Sequence, residues 1–538
     1  MPVWLAPLHL NILPPPTKLE ANEFSFVENS GNTNPYKTLT STSSSELENL
    51  WVTGSGAGSK ATGYWVDSDG QEATFTNLGN IYVTAVDGAN SWSQRAIGVA
   101  DGATAINKGT IVVQNAYGMT VGSDKNGSTP ATIINEGSIA VYKTGAAIEL
   151  GGVKGSTAEN KGQIYVGKPS ASDGAFTIGV LVKDHKEGTF TNSGLIDAKE
   201  ATAAIAVQQG TSTDKNTILV SSGSQTLGKV LIDAPNTTLN MEDGAVYEGG
   251  IFVSKNATKT AISGTQKAEG LTASYGAALF LAPADSSASI KNALYSGNKA
   301  SGATVAMGGA VYSNGSPIYF ENTVFDGNSA VITSPAKDTH AATGGAIQIK
   351  GSPDTVFKDV VFMNNSAAVT GAADKGAYAF GGAINVDYST GSTTGVKRDS
   401  DVKFIITKDL AYTGNTVSSD GTGKPDTYGY THSHTQAGGF LFLDRGSVAT
   451  FEVQGAATLT IGEKGTTGDT DSIASSMPNN TTANGGQHAL LNKTGTGTLL
   501  VNSDLNKYYG TTDVQEGTMH VTSEWLVQHN VNVTGGTL

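Results

Sequence analysis

The chain of 538 residues contains no cysteine. That removes a disulfide framework, cysteine-ligated zinc and thiol nucleophiles together, and it suits a chain that crosses an oxidising compartment before folding. Arginine is almost missing as well, with Arg95, Arg398 and Arg445 alone. Against 33 basic residues stand 47 acidic ones, a net charge of −14. No Lys/Arg stripe is available to displace phosphate counterions, so no nucleic-acid partner is expected. Charged residues of all kinds reach only 15%, below the usual ~25%. No run of 18 apolar residues occurs, so no segment spans a bilayer as a helix. The opening stretch Met1–Pro16 is moderately apolar but lacks a basic start and a small-residue cleavage site; a damaged signal segment and a disordered terminus both fit it.

What is abundant is glycine, 68 residues, far above its ~7% share. Ser, Thr and Asn fill the remaining polar positions. Such a composition would imply disorder, except that β-branched alternation recurs along the whole chain. Five related segments carry it: Asn77-Leu-Gly79-Asn-Ile81-Tyr-Val83, then copies at Asn107–Val113, Asn135–Val141, Asn160–Val166 and a worn one at Asn192–Ile196. Their asparagines step by 30, 28, 25 and 32 residues. A period of that size predicts a solenoid with one coil per repeat. Ile81 and Val83, two apart, face one side and Tyr82 the other. Asn and Gly are expected to supply left-handed backbone at a sharp corner, and stacked Asn side chains to bond from rung to rung. A second alternating strand lies between copies, at Ala96–Val99, Gly118–Val121, Ala147–Leu150, Gly179–Val182 and Ala204–Val207.

From about residue 226 the repeat changes. Gly308-Gly-Ala-Val311, Gly344-Gly-Ala-Ile347 and Gly381-Gly-Ala-Ile384 stand 36 and 37 residues apart, with looser copies at Gly276–Leu279 and Gly438–Leu441. Phe325-Asp-Gly-Asn328 and Phe362-Met-Asn-Asn365 precede the later copies, with Tyr295–Asn298 and Tyr412–Asn415 as aromatic variants. The glycines suit a tight entry, Ile or Val enters the core, Phe fills it, and Asn caps the corner. Each repeat therefore predicts one coil with a longer outward loop.

This pairing resembles the GGA(I/L/V) and FxxN tetrapeptides of the chlamydial polymorphic outer membrane proteins, a family of autotransporters, over about residues 270–445. The last segment resembles the autotransporter passenger-associated repeat: Lys493-Thr-Gly495-Thr-Gly497-Thr-Leu499, then Tyr508-Tyr-Gly510-Thr-Thr-Asp-Val514-Gln-Glu-Gly517-Thr-Met519. Tyr508 matches the motif's aromatic, and Met519 stands where leucine is usual. The chain then ends at Gly535–Leu538 with no amphipathic barrel strands after it. The resemblance thus implies a type V secretion passenger separated from its outer-membrane translocator barrel.

Fold alone does not decide chemistry, because parallel β-helices host polysaccharide lyases, hydrolases and adhesins. A lyase would need clustered carboxylates for Ca²⁺ and a basic residue to take a proton. The carboxylate pairs Asp67/Asp69 and Asp469/Asp471 sit among Ser, Gly and Thr and read as solvated turns. His432 and His434 would share a strand face but have no third ligand nearby, and Gly421–Lys424 lacks the frame of a phosphate loop. No Gly-x-Ser-x-Gly elbow or Gly-Asp-Ser-Gly is present. No catalytic, cofactor-binding or metal residue is assigned, and the chain is not expected to be an enzyme. Aromatics in or beside the coils (Trp51, Tyr64, Trp65, Tyr82, Trp92 and Tyr165) are the better binding candidates, with Tyr82 and Tyr165 outward.

The expectation is an all-β, right-handed parallel β-helix with projecting loops. Residues 1–50 form an N-terminal segment or cap, 51–225 the Asn-x-Gly coils, 226–450 the Gly-Gly-Ala coils and 451–538 the C-terminal coils. By resemblance it is an adhesin at the cell surface, outer membrane or exterior of a Gram-negative bacterium. It would bind a host-cell or bacterial receptor or glycan through coil walls and the long loops Ser389–Asp401 and Ser418–Gln436. A β-helix enzyme acting on polysaccharide, and a self-associating passenger zipped along one wall, are the open alternatives.

Overall fold

The computed structural model describes residues 25–29, 34–40, 44–54, 61–68, 73–85, 94–121, 129–171, 174–183, 187–208, 215–283, 285–333, 335, 340–372, 376–387, 389–390, 397–398, 400–421, 435–444, 446–476, 488–505, 507–522 and 530–538. Among them all regular structure is strand. The chain divides into two compact units, Met1–Ala234 and Pro235–Leu538. Each is a right-handed parallel β-helix, the hand that parallel crossovers take almost without exception.

In the first unit a coil has three short strands. Asn80–Ala85, Thr110–Gln114, Ser138–Lys143 and Gln163–Pro169 stack in parallel as a first wall. Arg95–Ala100, Tyr117–Val121, Gly145–Gly151 and Thr177–Lys183 make the second. Thr74–Asn77, Thr104–Asn107, Thr132–Asn135, Thr157–Asn160 and Thr189–Asn192 make the third. Coiling starts upstream of residue 51, since Ser25–Asn29 pairs with Leu50–Gly54 and Asn34–Thr40 with Ala61–Asp67. Ile81, Ile111, Ile139, Ile164 and Ile196 lie in one register and are all buried. Each such side chain contributes roughly 1.5–3 kcal/mol by leaving water.

The Asn-x-Gly corner joins the third wall to the first. Asn77 Nδ2 donates to Asn107 Oδ1 at 2.8 Å, and the same bond repeats to Asn135 (2.9 Å), Asn160 (2.8 Å) and Asn192 (2.8 Å). Asn192 Nδ2 in turn donates to Thr226 Oγ1 at 2.9 Å. All five amides are buried and point the same way, so each bond polarises the next. The glycines correct the sequence expectation. Neither they nor the asparagines adopt positive φ. They are glycine because there is no room: a Cβ on Gly109 would sit 1.9 Å from Gly79 O, on Gly137 2.1 Å from Gly109 O, and on Gly162 2.0 Å from Gly137 O.

In the second unit the walls hold further strands such as Val324–Asp326, Ile347–Lys350 and Ile318–Glu321. The stretches between Phe-x-x-Asn and Gly-Gly-Ala, expected to be loops, are strands too. Lys299–Ser301, Ser329–Thr333, Ser366–Thr370 and Thr416–Ser419 form one extra parallel sheet. Val305–Met307, His340–Thr343, Ala377–Phe380 and Gln436–Ala437 form another. A small alanine-rich core, including Ala300, Ala306, Ala330, Ala342, Ala367 and Ala379, is buried between them. The result is a projecting two-sheet layer that repeats with the coils.

Inside this unit the aromatics stack in columns. Tyr295, Phe325 and Phe362 lie face to face at 4.8 and 5.1 Å, and Phe357, Phe404 and Phe451 at 5.1 and 4.6 Å. Phe320, stacked on Phe357 at 5.9 Å, meets Phe325 edge-on at 5.2 Å, and Phe357 meets Phe362 edge-on at 5.5 Å, which ties one column to the other. A second amide ladder runs beside them through Asn298, Asn328, Asn365 and Asn415, with bonds of 2.9, 3.0 and 3.0 Å. It ends on Asp471, which is buried rather than in a solvated turn. Asp471 Oδ1 accepts from Asn415 Nδ2 (2.9 Å) and N (2.8 Å), and Oδ2 from Gly414 N (2.8 Å). Three donors and no acceptor face it, so a carboxylate fits where an amide would set N–H against N–H. Burial pushes the Asp471 carboxyl up, opposed by those hydrogen bonds.

The passenger-repeat-like segment folds as coils too, Leu490–Thr494 pairing with Thr511–Val514 and Thr498–Val501 with Thr518–Val521. Lys493 is buried there and donates to three carbonyls, Thr494 O at 2.7 Å, Gly495 O at 2.6 Å and Glu516 O at 3.0 Å. Burial pushes its ammonium down to about 8, partly countered by Glu516. The Tyr508 hydroxyl donates to Thr511 O at 2.8 Å.

Two outcomes follow for stability. Gly137→Ala should lose roughly 1–3 kcal/mol as a forced overpacking. Gly151→Ala, where a Cβ meets nothing closer than 3.4 Å, should stay within about 0.5 kcal/mol; thermal melting of the two checks this. Lys493→Met keeps the stem and removes the donors, so the last coils should lose about 1–3 kcal/mol. Hydrogen exchange should show that loss concentrated in residues 490–521.

Candidate functional site

The sequence candidates separate once placed on the coils. Tyr64 is not a surface aromatic: it is buried against Phe75, ring centroids 4.6 Å apart, because it stands at an inward position of its strand. Trp51 and Tyr82 are half-buried neighbours in register on the first wall, and Trp51 Nε1 donates to Thr84 Oγ1 at 3.1 Å. Trp65 lies against Gly98, where a Cβ would be 2.4 Å from the indole, and under the Arg95 guanidinium at 5.6 Å. Arg95 also donates to Thr120 Oγ1 at 3.1 Å, so this cation and ring already serve one another. Tyr165 is half-buried 6.0 Å from Tyr142, whose phenol is pushed up to about 12 by burial and then by Tyr165. Trp92, His432 and His434 lie outside the described residues, as does most of both long loops.

Asp469 and Asp471 are each engaged by other partners. Asp469 accepts from Lys507 Nζ at 2.8 Å and Gln436 Nε2 at 3.0 Å, while Asp471 closes the amide ladder. Asp67 is buried instead of solvated, and Asp69 lies outside the described residues. Among the described residues no three His, Asp or Glu gather as a metal site. In the first unit a groove of about 530 Å³ follows the glycine corner past Glu136, Gly137, Lys161 and Gly162. Its charges answer each other, with Lys108 and Lys161 at 3.5 and 3.8 Å from Glu136.

A better-built surface lies in the second unit, where the projecting layer meets the second wall. Along the wall, Phe252, Phe280, Tyr312, Gln348, Asn385 and Phe442 occupy one outward register. Along the layer, Tyr275, Met307, Thr343, Phe380 and Ala437 occupy another. The Gly-Gly turn folds the rows together. Gly276, Gly308, Gly344, Gly381 and Gly438 have φ between +45° and +73°, and Cβ on Gly276 would lie 2.9 Å from Tyr312 Cβ. These glycines make the tight entry expected of them, and they do so with left-handed backbone.

The cleft between the rows changes along its length. At one end Phe280 and Tyr312 stack at 5.3 Å, and Tyr275 meets Tyr312 edge-on at 5.5 Å. Tyr275 is 38% exposed, with Phe280, Met307 and Tyr312 half-buried. At the other end Phe380 stacks on Phe442 at 4.4 Å, closed in with Tyr378, Ala437 and Ala474. Between lie polar groups: Asn385 Nδ2 donates to Gln348 Oε1 at 3.0 Å, and Gln348 Nε2 to Ile349 O at 3.3 Å. Thr343 Oγ1 and Asn385 Oδ1 are buried with no hydrogen-bond partner among the described residues. Burial pushes the Tyr312 phenol up to about 12, helped by Tyr275 and by the Asp387 carboxylate. Neither row carries a carboxylate, histidine or lysine. The arrangement is chemically one of stacking faces and hydrogen-bond acceptors.

Sequence reasoning missed this cleft. Its layer residues each stand one position before a Gly-Gly pair (Gly-Ala at residue 276) and meet wall residues only after the turn. The recurring slot just before those glycines was the available signal. Turning to known proteins, no curated protein matches the chain. Residues 19–185 match the family described as the BigA third pectate lyase-like domain, so the chain is similar to that β-helix domain over most of its first unit.

Proposed function

We propose that the protein is a surface-displayed passenger of the autotransporter kind, at the outer membrane or outside a Gram-negative bacterium. It acts as an adhesin for host cells or neighbouring bacteria. The observation that carries this reading is the partly exposed aromatic cluster of Tyr275 on the layer with Phe280 and Tyr312 on the wall, both rows stacked strand by strand. Binding energy concentrates where rigid aromatic side chains are partly exposed and pre-positioned. The likeness of residues 19–185 to a BigA domain, and the Lys493–Met519 segment with its passenger-like motif, support the same reading. The translocator barrel is then the partner that holds such a chain at the membrane.

The test is to incubate labelled, purified chain with host cells and bacteria, and separately with soluble polysaccharides. Saturable cell binding with no new sugar ends is expected. Catalytic turnover of a polysaccharide would replace the adhesin with a β-helix enzyme.

A further inference from the structure

The projecting layer of the second unit ends differently at its two edges. Its first rung is very short, the two residues Thr272–Ala273 in one sheet and the single bridge Tyr275–Met307 in the other. A sheet edge that short offers little to another chain. The last rung is longer. Thr416-Val-Ser-Ser419 is uncharged, free of proline and pairs with Ser366–Thr370 as the end strand of its sheet. Parallel ladders bond through alternate residues. Thr416 N–H donates to Asn365 O and Asp420 N–H to Val369 O, so Val417 and Ser419 turn their main-chain groups away from the sheet. In the companion strand Thr435 and Ala437 accept from Ala379 and Gly381, which turns the Gln436 carbonyl outward as well.

Three side chains close this edge, two of them from later coils. Gln436 Oε1 accepts from Ser419 N at 2.8 Å, and Lys507 Nζ donates to Gln436 O at 3.0 Å. Asp469 joins the two, its Oδ2 accepting from Gln436 Nε2 at 3.0 Å and from Lys507 Nζ at 2.8 Å. Asp469 is itself tied to the layer's last turn, because Ser472 Oγ donates to Asp469 O at 2.8 Å and accepts from Gly439 N at 3.0 Å. The Asp469 side chain is only 13% exposed, so salt screens this pair weakly.

We propose that Gln436, Asp469 and Lys507 form a latch over a strand edge that, once opened, pairs with the same edge of a second copy. The edge suits itself because it carries no charge. Two copies related by a two-fold axis would exchange main-chain bonds across Val417 and Ser419. The latch thereby makes the monomeric state of the layer depend on the coil that carries Lys507.

The experiment compares the full chain with Gln436→Ala/Lys507→Met, and with that pair carrying Val417→Pro, by hydrogen exchange and sedimentation velocity. In the double variant the amides of residues 416–419 should exchange about tenfold faster while Leu441–Leu443 and Val448–Val453 keep their protection. That variant should also dimerise at concentrations where the native chain is monomeric. Val417→Pro removes an outward N–H without touching a bond to the neighbouring strand, so it should restore the monomer. Unchanged exchange at 416–419, exchange that rises equally in the wall strands, or faster exchange without a dimer overturns the proposal. So does a dimer that Val417→Pro leaves intact, or a native chain that already dimerises to the same degree.

Discussion

The closeness of consecutive coils at their corners is the constraint on which everything else rests. Backbones one rung apart leave no space for a Cβ, which at Gly109, Gly137, Gly162 and Gly194 would lie only 1.9–2.1 Å from a carbonyl oxygen of the preceding coil. The second glycine of each Gly-Gly pair obeys the same limit, since a Cβ on Gly345 would lie 1.9 Å from Gly382 O. Corners pinned so tightly fix the strand register, and a fixed register puts like side chain on like side chain. Isoleucines stack on isoleucines, rings on rings, and amides on amides. The amide ladders then turn a potential penalty, buried polar groups at every corner, into aligned hydrogen bonds.

With the interior closed in this way, only the outer faces of the coils present side chains to solvent. The first unit's outward aromatics are largely engaged with their own neighbours, as Trp65 is with Arg95. In the second unit the chain adds a layer whose alanine core is thin enough to sit close beside the wall. Where that layer packs tightly, at Phe380 and Phe442, it is held in place; where it opens, at Tyr275 and Tyr312, aromatic side chains are left partly exposed. The repeat thus places a rigid anchor and an accessible end in the same cleft. Because each coil leans mainly on its neighbours, changes at the open end need not disturb distant coils.

The period and the inward residues read directly from the sequence, because Ile81/Val83 and Phe325/Asn328 recur in position with each coil. What a period does not reveal is why a residue is there. Positive φ and lack of room both select glycine; at Gly308 both act, with φ of +64° and a Cβ that would lie 1.9 Å from Val311 O, and at Gly137 only the second. Asp471 reads as a turn residue by its Gly/Thr neighbours, but its partners Gly414 and Asn415 lie over fifty residues away. Tyr64 looks like a binding aromatic until its strand phase turns it inward. The layer was hidden because Ala300, Ala330 and Ala367 alternate with Ser and Thr too weakly to show as apolar strands. The cleft joins residues that only the fold brings together.

The missing cysteines make the central claim directly measurable. Thr132 and Thr157 are register partners on the third wall, their hydroxyl oxygens 3.2 Å apart, whereas Ala158 faces the core. Cysteines introduced at 132 and 157 lie one rung apart, ~4.8 Å, within disulfide reach. Oxidation should crosslink Thr132→Cys/Thr157→Cys almost completely and leave Thr132→Cys/Ala158→Cys reduced. Equal crosslinking of the two pairs, or crosslinking of the second alone, would contradict the register from which the account is built.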